Sequence, residues 1–387
     1  MKNSRKQSIY GALAISTALA ITALAGPSYA ADGAKVITSS SDKVKVSITG
    51  QINRTILYYD DDFNDGVRHM DNDYSSTRFR WNADARVNND IKIGGLIEIA
   101  AINNSNAGTN QDTEGTGDTA SLTDRHLEFW VDHARFGTVY VGKGAPASNG
   151  TTTQATFNGD NVGLTSSHFL AAGGLNFKSN GDACSISGNT CVGIGSAFSD
   201  FDGLGRQNRL RYDTPVIAGF MGSVSHTDGG AVDAALYYAG KIFGAEVAGG
   251  IGYAESSSQA TAGVNGDQVS GSLSFTLPMG IGLHGSYAEQ DLDARTVGDN
   301  PKGFYIGAHY EGKLSEIGTS TFTASYGAVD NLAAAGDDAE SFALSVNQEV
   351  EAAAFDVYAQ YTHYELDRTG VTFGDIDTIM VGGRIKF

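Results

Sequence analysis

Beyond the first thirty residues no stretch approaches about 18 consecutive apolar positions, so no helix of the remaining chain is expected to span a bilayer. Proline is scarce, with 5 in 387 residues, which leaves little to interrupt β-strands. Basic charge is in deficit: 26 Lys plus Arg stand against 44 Asp plus Glu, a formal net charge of −18. That sign argues against nucleic acid as a partner, because phosphate neutralisation needs a basic surface, and solvated acidic loops account for the excess. Cysteine is limited to Cys184 and Cys191, too few for a zinc site that wants four ligands. No Gly-x-Ser-x-Gly elbow occurs and the histidines are scattered, so no nucleophile stands beside an evident base and the chain is expected not to be an enzyme.

The first residues form an export signal. Lys2, Arg5 and Lys6 make a positive start, Ile9 to Ala25 is apolar, and Ser28-Tyr29-Ala30 fits a small-x-small cleavage site. A transmembrane anchor is the competing reading, but the run falls short of about 20 residues and ends at Gly26-Pro27. Residues 1–30 are therefore expected to be removed, and 31–387 to form a single domain with 23 Lys plus Arg against an unchanged 44 Asp plus Glu.

What is abundant is alternation. With 50 Gly, 17 Tyr and 18 Phe, the composition suits many strands, tight turns and aromatic girdles. In Val269 to Leu277 the residues Val269, Leu273, Phe275 and Leu277 share one phase, and Ser270, Ser272, Ser274 and Thr276 the other. Sixteen such segments are readable, at 43–59, 74–87, 91–102, 125–135, 138–143, 206–213, 220–226, 232–242, 246–255, 269–277, 281–288, 302–314, 319–329, 341–350, 355–366 and 378–387. Long polar loops and short turns separate them in alternation, and aromatics recur near strand ends at Tyr58, Phe304, Phe355 and Phe387. A soluble β-sandwich also alternates, facing a dry core on one side and water on the other. Strand length, loop asymmetry and aromatic placement favour an all-β fold, a 16-stranded antiparallel transmembrane β-barrel with a water-filled lumen. No internal repeat of solenoid or propeller type is visible.

Three segments carry a family resemblance: TVYVGKG at 138–144, RQNRLRYDTP at 206–215, and the terminal alternating strand TIMVGGRIKF ending on Phe387. With these in order around one long loop, the chain resembles a Gram-negative outer-membrane general diffusion porin over its whole mature length. The resemblance implies that the loop after strand five, Ala145 to Gly205, folds into the lumen and constricts it. It also implies a homotrimer, a terminal Phe387 read by the barrel-assembly machinery, and a place in the Gram-negative outer membrane among its lipids and lipopolysaccharide. Passive diffusion of small hydrophilic solutes and ions is the expected function. A surface structural or adhesive barrel with a closed lumen, or a solute-specific channel, are the alternatives.

The residues themselves suggest how such a lumen is charged. Arg78, Arg80 and Arg86 share the polar phase of strand two, opposite Phe79 and Trp81, while Arg209 and Arg211 share a phase on strand six. Arginine is costly on a lipid face, so these five are expected to face water as a basic wall, or else to form structural ion pairs near the rim. A basic wall opposite loop carboxylates would set a transverse field, the candidates being Asp160, Asp182, Asp200 and Asp202. Arg54 breaks the rule by sharing the phase of Ile52 and Ile56, through either a bulge or, as preferred, contact with another protomer. His284 and His309 read as isolated lumen residues. Cys184 and Cys191 flank a Ser-Gly-Asn turn in an exported chain and are expected to form a disulfide that stiffens the loop. No cofactor is expected. Asp60, Asp62 and Asn64 vaguely match a calcium loop, but the sixth position is Asp65 where the sharp turn needs Gly, so at most loosely bound calcium is expected there.

Overall fold

Each alternating segment has backbone donors and acceptors on two edges, and in hydrocarbon all of them must be satisfied within the protein. In the computed structural model they are satisfied by closure into one antiparallel barrel. The structure describes residues 36–38, 43–112, 121–163, 167–184, 188–255, 266–292 and 298–387; the expected signal and cleavage site lie outside these. Among the described residues sixteen strands build the wall: β1 Val44–Asp60, β2 Arg78–Arg86, β3 Ile91–Ile102, β4 Ser121–His133, β5 Gly137–Gly144, β6 Gln207–Asp213, β7 Phe220–Thr227, β8 Val232–Ile242, β9 Ala245–Glu255, β10 Gly266–Thr276, β11 Ile281–Leu292, β12 Lys302–Ser315, β13 Gly318–Asp330, β14 Asp337–Val350, β15 Phe355–Arg368 and β16 Ile376–Lys386. β5 pairs with β6 across the long loop, and β16 returns to β1 with Gln51 opposite Lys386 and Asp60 opposite Asp377. No helix among the described residues is long and apolar enough to cross a membrane.

The period of two sorts the two faces as expected. Val269, Leu273, Ile281, Leu283, Phe304, Ile306, Phe322 and Leu344 are exposed on the outside, while Ser270, Ser274, Thr276, Thr323, Ser325 and Ser345 are buried on the inside.

Three details depart from the periodic reading. The acidic stretch after β1, expected to be loop, contains a strand, Asp65–Asp71, paired with the outer half of β1 from Asp60 opposite Asp65 to Arg54 opposite Asp71. The cause is length: β1 runs 17 residues and β2 only 9, so the outer half of β1 would otherwise present an open edge. Arg54 keeps its outward phase without a bulge and meets a local partner, with Nη1 donating to the Asn103 carbonyl at 2.8 Å and lying 3.8 Å from Asp71 Oδ2. The residue thus has a reason to face outward within its own chain. Finally, a bulge between Glu98 and Ile99 shifts the β3–β4 register, pairing Glu98 with His126 and Ile99 with Asp124. Arg125, which strict alternation would place with Leu127 and Phe129 on the outside, turns inward.

The interior is not hollow throughout. Loop residues Leu175, Phe177, Ile194 and Phe198 pack against Leu57, Tyr305, Tyr364, Ile376 and Met380 of the inner wall. Full burial of one such side chain stabilises by about 1.5–3 kcal/mol, so this cluster holds the loop as firmly as a small domain core. Tyr364 donates to the Phe169 carbonyl at 3.1 Å and Tyr305 to that of Ser199 at 2.8 Å, which fixes both ring ends.

Candidate functional site

The path of the loop is written by hydroxyl, carboxylate and amide groups on the inner wall. Ser148 donates its backbone N–H to Asp233 of β8 at 2.6 Å, and Thr151 meets Ser270 of β10 at 2.7 Å. Gln154 N–H reaches Ser272 and Thr156 N–H reaches Ser274, both at 3.1 Å. Asn158 N–H then donates to Glu311 at 2.7 Å, and Asn161 Nδ2 to Asn347 at 2.9 Å. The segment ends at β1, where Asn53 Nδ2 donates to Asn161 Oδ1 at 3.2 Å. The serine and threonine phase of β10 is therefore the track on which the loop is seated.

This path leaves the opening off-centre, between the loop and the wall of β2, β4 and β16. A cavity of about 600 Å³ there is lined by Arg78, Arg80, Arg125, Arg206, Arg384 and Lys386, and across it by Asp160, Asp200, Asp202 and Asn149. Glu98 of β3, buried, is the hub of the basic side. Arg80 bonds to it directly, Arg125 Nε donates at 2.5 Å, and Arg78 Nη1 lies 3.5 Å away. A second group is built on Asp356, which accepts from Arg384 Nε at 2.8 Å and lies 3.2 Å from Lys386 Nζ. Arg384 Nη1 also reaches Ser75 Oγ at 2.9 Å and Asp160 Oδ2 at 3.4 Å, so it bridges wall and loop. Arg206 donates to His126 Nε2 at 3.3 Å, and His126 Nδ1 lies 2.6 Å from Glu128 Oε1.

On the loop, Asp202 Oδ1 accepts from Gly150 N–H at 2.8 Å and from Thr152 at 3.1 Å. Burial, together with the neighbouring Asp200, pushes Asp202 up to about 7, and burial also holds Asp200 above the ordinary carboxylate range. Asp73, on the short turn before β2, is raised by burial to about 6. The guanidinium of Arg206 is held below its usual value by burial and by the positive charge of Arg125. Two of the carboxyls facing the opening, Asp200 and Asp202, are thus biased by burial toward the neutral form.

The expected site residues separate into groups. Arg78 and Arg80 line the opening, and Asp160, Asp200 and Asp202 face them. Arg209 and Arg211 do not form an open wall. Arg209 is buried against Glu128 and donates to the Ala145 carbonyl at 2.8 Å, while Arg211 makes a bidentate pair with Asp213 at 2.7 and 3.0 Å. The first residues of the loop fold over both, turning them into its anchorage. Arg86 is exposed and pairs in register with Lys92, six positions below Arg80, a drop of roughly 20 Å along a strand. Asp182 lies by the cysteine-bearing hairpin, where its backbone N–H takes Asn180 Oδ1 at 3.0 Å. Arg125, Arg206, Arg384, Lys386, Glu98 and Asp356 were not singled out. Arg384 and Lys386 were legible as the polar phase of the last strand, whereas Arg125 was hidden by the bulge.

Cys184 and Cys191 form the expected disulfide, with Cα atoms 5.7 Å apart. It closes a hairpin of Asn176–Lys178 with Cys191–Gly193 that ties neighbouring loops together. Lys178 donates to Asp112 at 2.8 Å, Cys184 N–H to the same carboxylate at 3.0 Å, and Gly374 N–H to the Lys178 carbonyl at 3.0 Å. A ring this short contributes about 2–3 kcal/mol in the chain-entropy account. Reduction is expected to make the hairpin a preferred site of limited proteolysis while the channel stays open, because the hydroxyl track and Asp202 belong to other parts of the loop. Protease digestion with and without thiol reads the first effect, and bilayer conductance the second.

At the positions expected to bind calcium loosely, the side chains are engaged in hydrogen bonds, one within the turn and two to other loops. Asp60 Oδ1 accepts from Asp62 N–H at 3.1 Å, Asp62 Oδ2 accepts from Asp375 N–H at 3.1 Å, and Asn64 Nδ2 donates to the Gly181 carbonyl at 3.4 Å. Among the described residues no group of three or more His, Cys, Asp and Glu side chains is placed to hold a metal ion. Phe387 exchanges backbone hydrogen bonds with Gly50 at 2.7 and 3.0 Å, and its ring lies 6.4 Å from that of Phe79.

A closed, lipid-belted barrel with a polar, off-centre opening defines an outer-membrane channel. The model of the Gram-negative porin family matches residues 16–378, and the chain belongs to that family. Among curated proteins none matches the chain. Solved structures share the fold at low identity. The anion-selective porin from Comamonas acidovorans superposes with a TM-score of 0.59 at 13% identity, over 89% of this chain and 100% of that one. OmpT of Vibrio cholerae in its trimer form gives 0.54 at 15%, over 89% and 100%. OmpF of Salmonella typhi, solved with daunomycin, gives 0.55 at 13%, over 89% and 98%. The protein is an outer-membrane porin, a water-filled channel for passive diffusion.

Proposed function

We propose that this porin passes small hydrophilic solutes and ions with a preference for anions. The observation that carries this reading is the charge lining the cavity beside the loop: Arg78, Arg80 and Arg125 share Glu98, while Arg384 and Lys386 share Asp356. Arg206 adds a further cation to the same cavity, and of the three facing aspartates two, Asp200 and Asp202, are raised by burial. An anion entering this cavity therefore meets a net positive field. The fold shared with an anion-selective porin is compatible with this reading.

The test is the zero-current potential of single channels across a salt gradient. Its sign should report anion preference at pH 6. Between pH 6 and pH 8 Asp202 loses its proton, adding negative charge to the constriction, so the preference should fade as pH rises. A cation preference at pH 6 would overturn the reading.

Trimeric assembly is supported by the trimer form of the Vibrio cholerae neighbour and would appear as conductance steps grouped in threes. The exposed outer band supports contact with outer-membrane lipids and lipopolysaccharide, and half-exposed Phe387 suits reading by the assembly machinery. Export through a cleaved signal and transport of ions belong to the same proposal.

A further inference from the structure

The guanidinium groups on the basic side of the cavity are not equally engaged. Arg78 is held on all sides: Nε donates to the Ser76 carbonyl at 3.0 Å, Nη2 to Ser75 Oγ at 3.2 Å, and Nη1 faces Glu98 at 3.5 Å. Arg80 and Arg125 meet the two oxygens of Glu98 through Nε, one each, and Arg206 meets His126 Nε2 through its own Nε. Among the described residues no Nη group of these three donates to a protein acceptor. The side chains of Arg80 and Arg125 are 32% and 22% exposed, against 4% for the Glu98 between them, so their outer donors face the cavity of about 600 Å³.

The excess of positive charge belongs to this group alone. Arg384 and Lys386 stand beside Asp356 and Asp160, two cations for two carboxylates. Arg78, Arg80, Arg125 and the nearby Arg206 have Glu98 in their midst as the one carboxylate bonded to the wall arginines. Arg125 is present because of the bulge, which turns it inward and leaves Asp124 to pair with Lys143 Nζ at 3.0 Å. A bulge interrupts a ladder and re-aims a side chain, and here the re-aimed side chain is the second fork on Glu98.

We propose that the Nη groups of Arg80, Arg125 and Arg206 form a binding site for a tetrahedral, doubly charged oxyanion, a phosphate group or sulfate, where such an anion dwells during passage and holds back smaller anions. The inference rests on the anion-preferring reading and adds a substrate class to it. The three groups offer donors only, from β2, from β4 and from the end of the loop, so the ligand that suits them accepts hydrogen bonds on several sides and carries two charges. Phosphate and sulfate do both. Chloride has no directed acceptors, and a carboxylate has its acceptors in one plane. Glu98 fixes two of the forks through Nε before the ligand arrives, so little side-chain freedom is lost on binding.

Single-channel chloride current of the full chain in planar bilayers at pH 7.5, with sulfate, phosphate or succinate added at constant ionic strength, tests this. Sulfate and phosphate are each expected to lower the current by about half or more at about 10 mM, and succinate, whose two charges sit apart on flat groups, by much less. Arg125→Lys keeps the charge and removes the fork, so half-block should need about fivefold more sulfate. That shift should exceed the one caused by Lys386→Gln, which removes a charge from the same cavity. Heat-modifiable mobility checks folding, and Arg80→Lys carries the comparison if Arg125→Lys fails to fold. Succinate as effective as sulfate, a folded arginine variant that is blocked like wild type, or a larger shift from Lys386→Gln overturns the proposal. So does an anion-preferring channel whose chloride current is indifferent to sulfate and phosphate. A cation-preferring potential in a chloride gradient would instead overturn the anion reading on which the site rests.

Discussion

Arg206→Glu combined with Lys386→Glu is expected to invert the sign of the zero-current potential, converting an anion-preferring channel into a cation-preferring one. Both side chains line the opening, and neither is the hub of a buried cluster: Arg206 is bonded to His126, and Lys386 lies beside an Asp356 that Arg384 continues to neutralise. A unit charge acts on an ion about 5 Å away with roughly 0.8 kcal/mol in water. Exchanging two positive charges for two negative ones applies about four such increments, reduced by salt screening. Since about 1.4 kcal/mol is a tenfold change, the permeability ratio should move by at least about tenfold. The measurement is the reversal potential in a potassium chloride gradient, repeated at low and high salt. If the double variant keeps the wild-type potential, the selectivity resides elsewhere in the lumen.

Glu98→Ala should be the most destabilising single change at the site. Its side chain is 4% exposed and holds Arg78, Arg80 and Arg125 together. Removing one member of a buried ion cluster leaves like charges unpaired, typically a loss of about 3–5 kcal/mol. Urea unfolding of the reconstituted barrel, followed by the fluorescence of Trp81 and Trp130, should show a lower midpoint. Adding Arg80→Gln should restore part of the loss, because one of the stranded charges is gone. Channels that survive should prefer anions more strongly than wild type, so stability and selectivity move in opposite directions. A midpoint equal to wild type would show that the three guanidinium groups are solvated well enough to do without Glu98.

The two expected effects differ in origin. Arg206 and Lys386 act on whatever passes, whereas Glu98 acts on the wall and only through the wall on the solute. Its counterpart on the loop side is Asp160, which accepts from Arg384 at 3.4 Å and is more than half exposed, so a charge there is expected to matter less for stability.

Strand number, facing and the membrane band were legible in the chain because alternation is a local property: each strand carries its own record of which side meets lipid. The hydroxyl phase of Ser270, Ser272, Ser274 and Thr276 and the basic phase of Arg78 and Arg80 were visible in the same way, as was the disulfide of Cys184 with Cys191. What the polar phase would touch was not visible. That Ser270 and its neighbours seat a loop, that Arg209 and Arg211 are covered by it, and that His284 stands against His309 all depend on partners brought together by closure. Arg125 shows the limit most sharply, since one extra residue in β4 reverses its side and no periodic rule announces the bulge.

The sequence by itself determined a closed, exported barrel with a polar interior, because a two-residue period and the cost of unpaired backbone in lipid leave few other arrangements. Only the tertiary structure decided which charges face the opening. Arg384 meets Asp160 from 224 positions away, and Glu98 gathers arginines from two neighbouring strands. Register, bulge and loop path set those meetings, and they are fixed by the packing of the whole barrel rather than by any stretch of it.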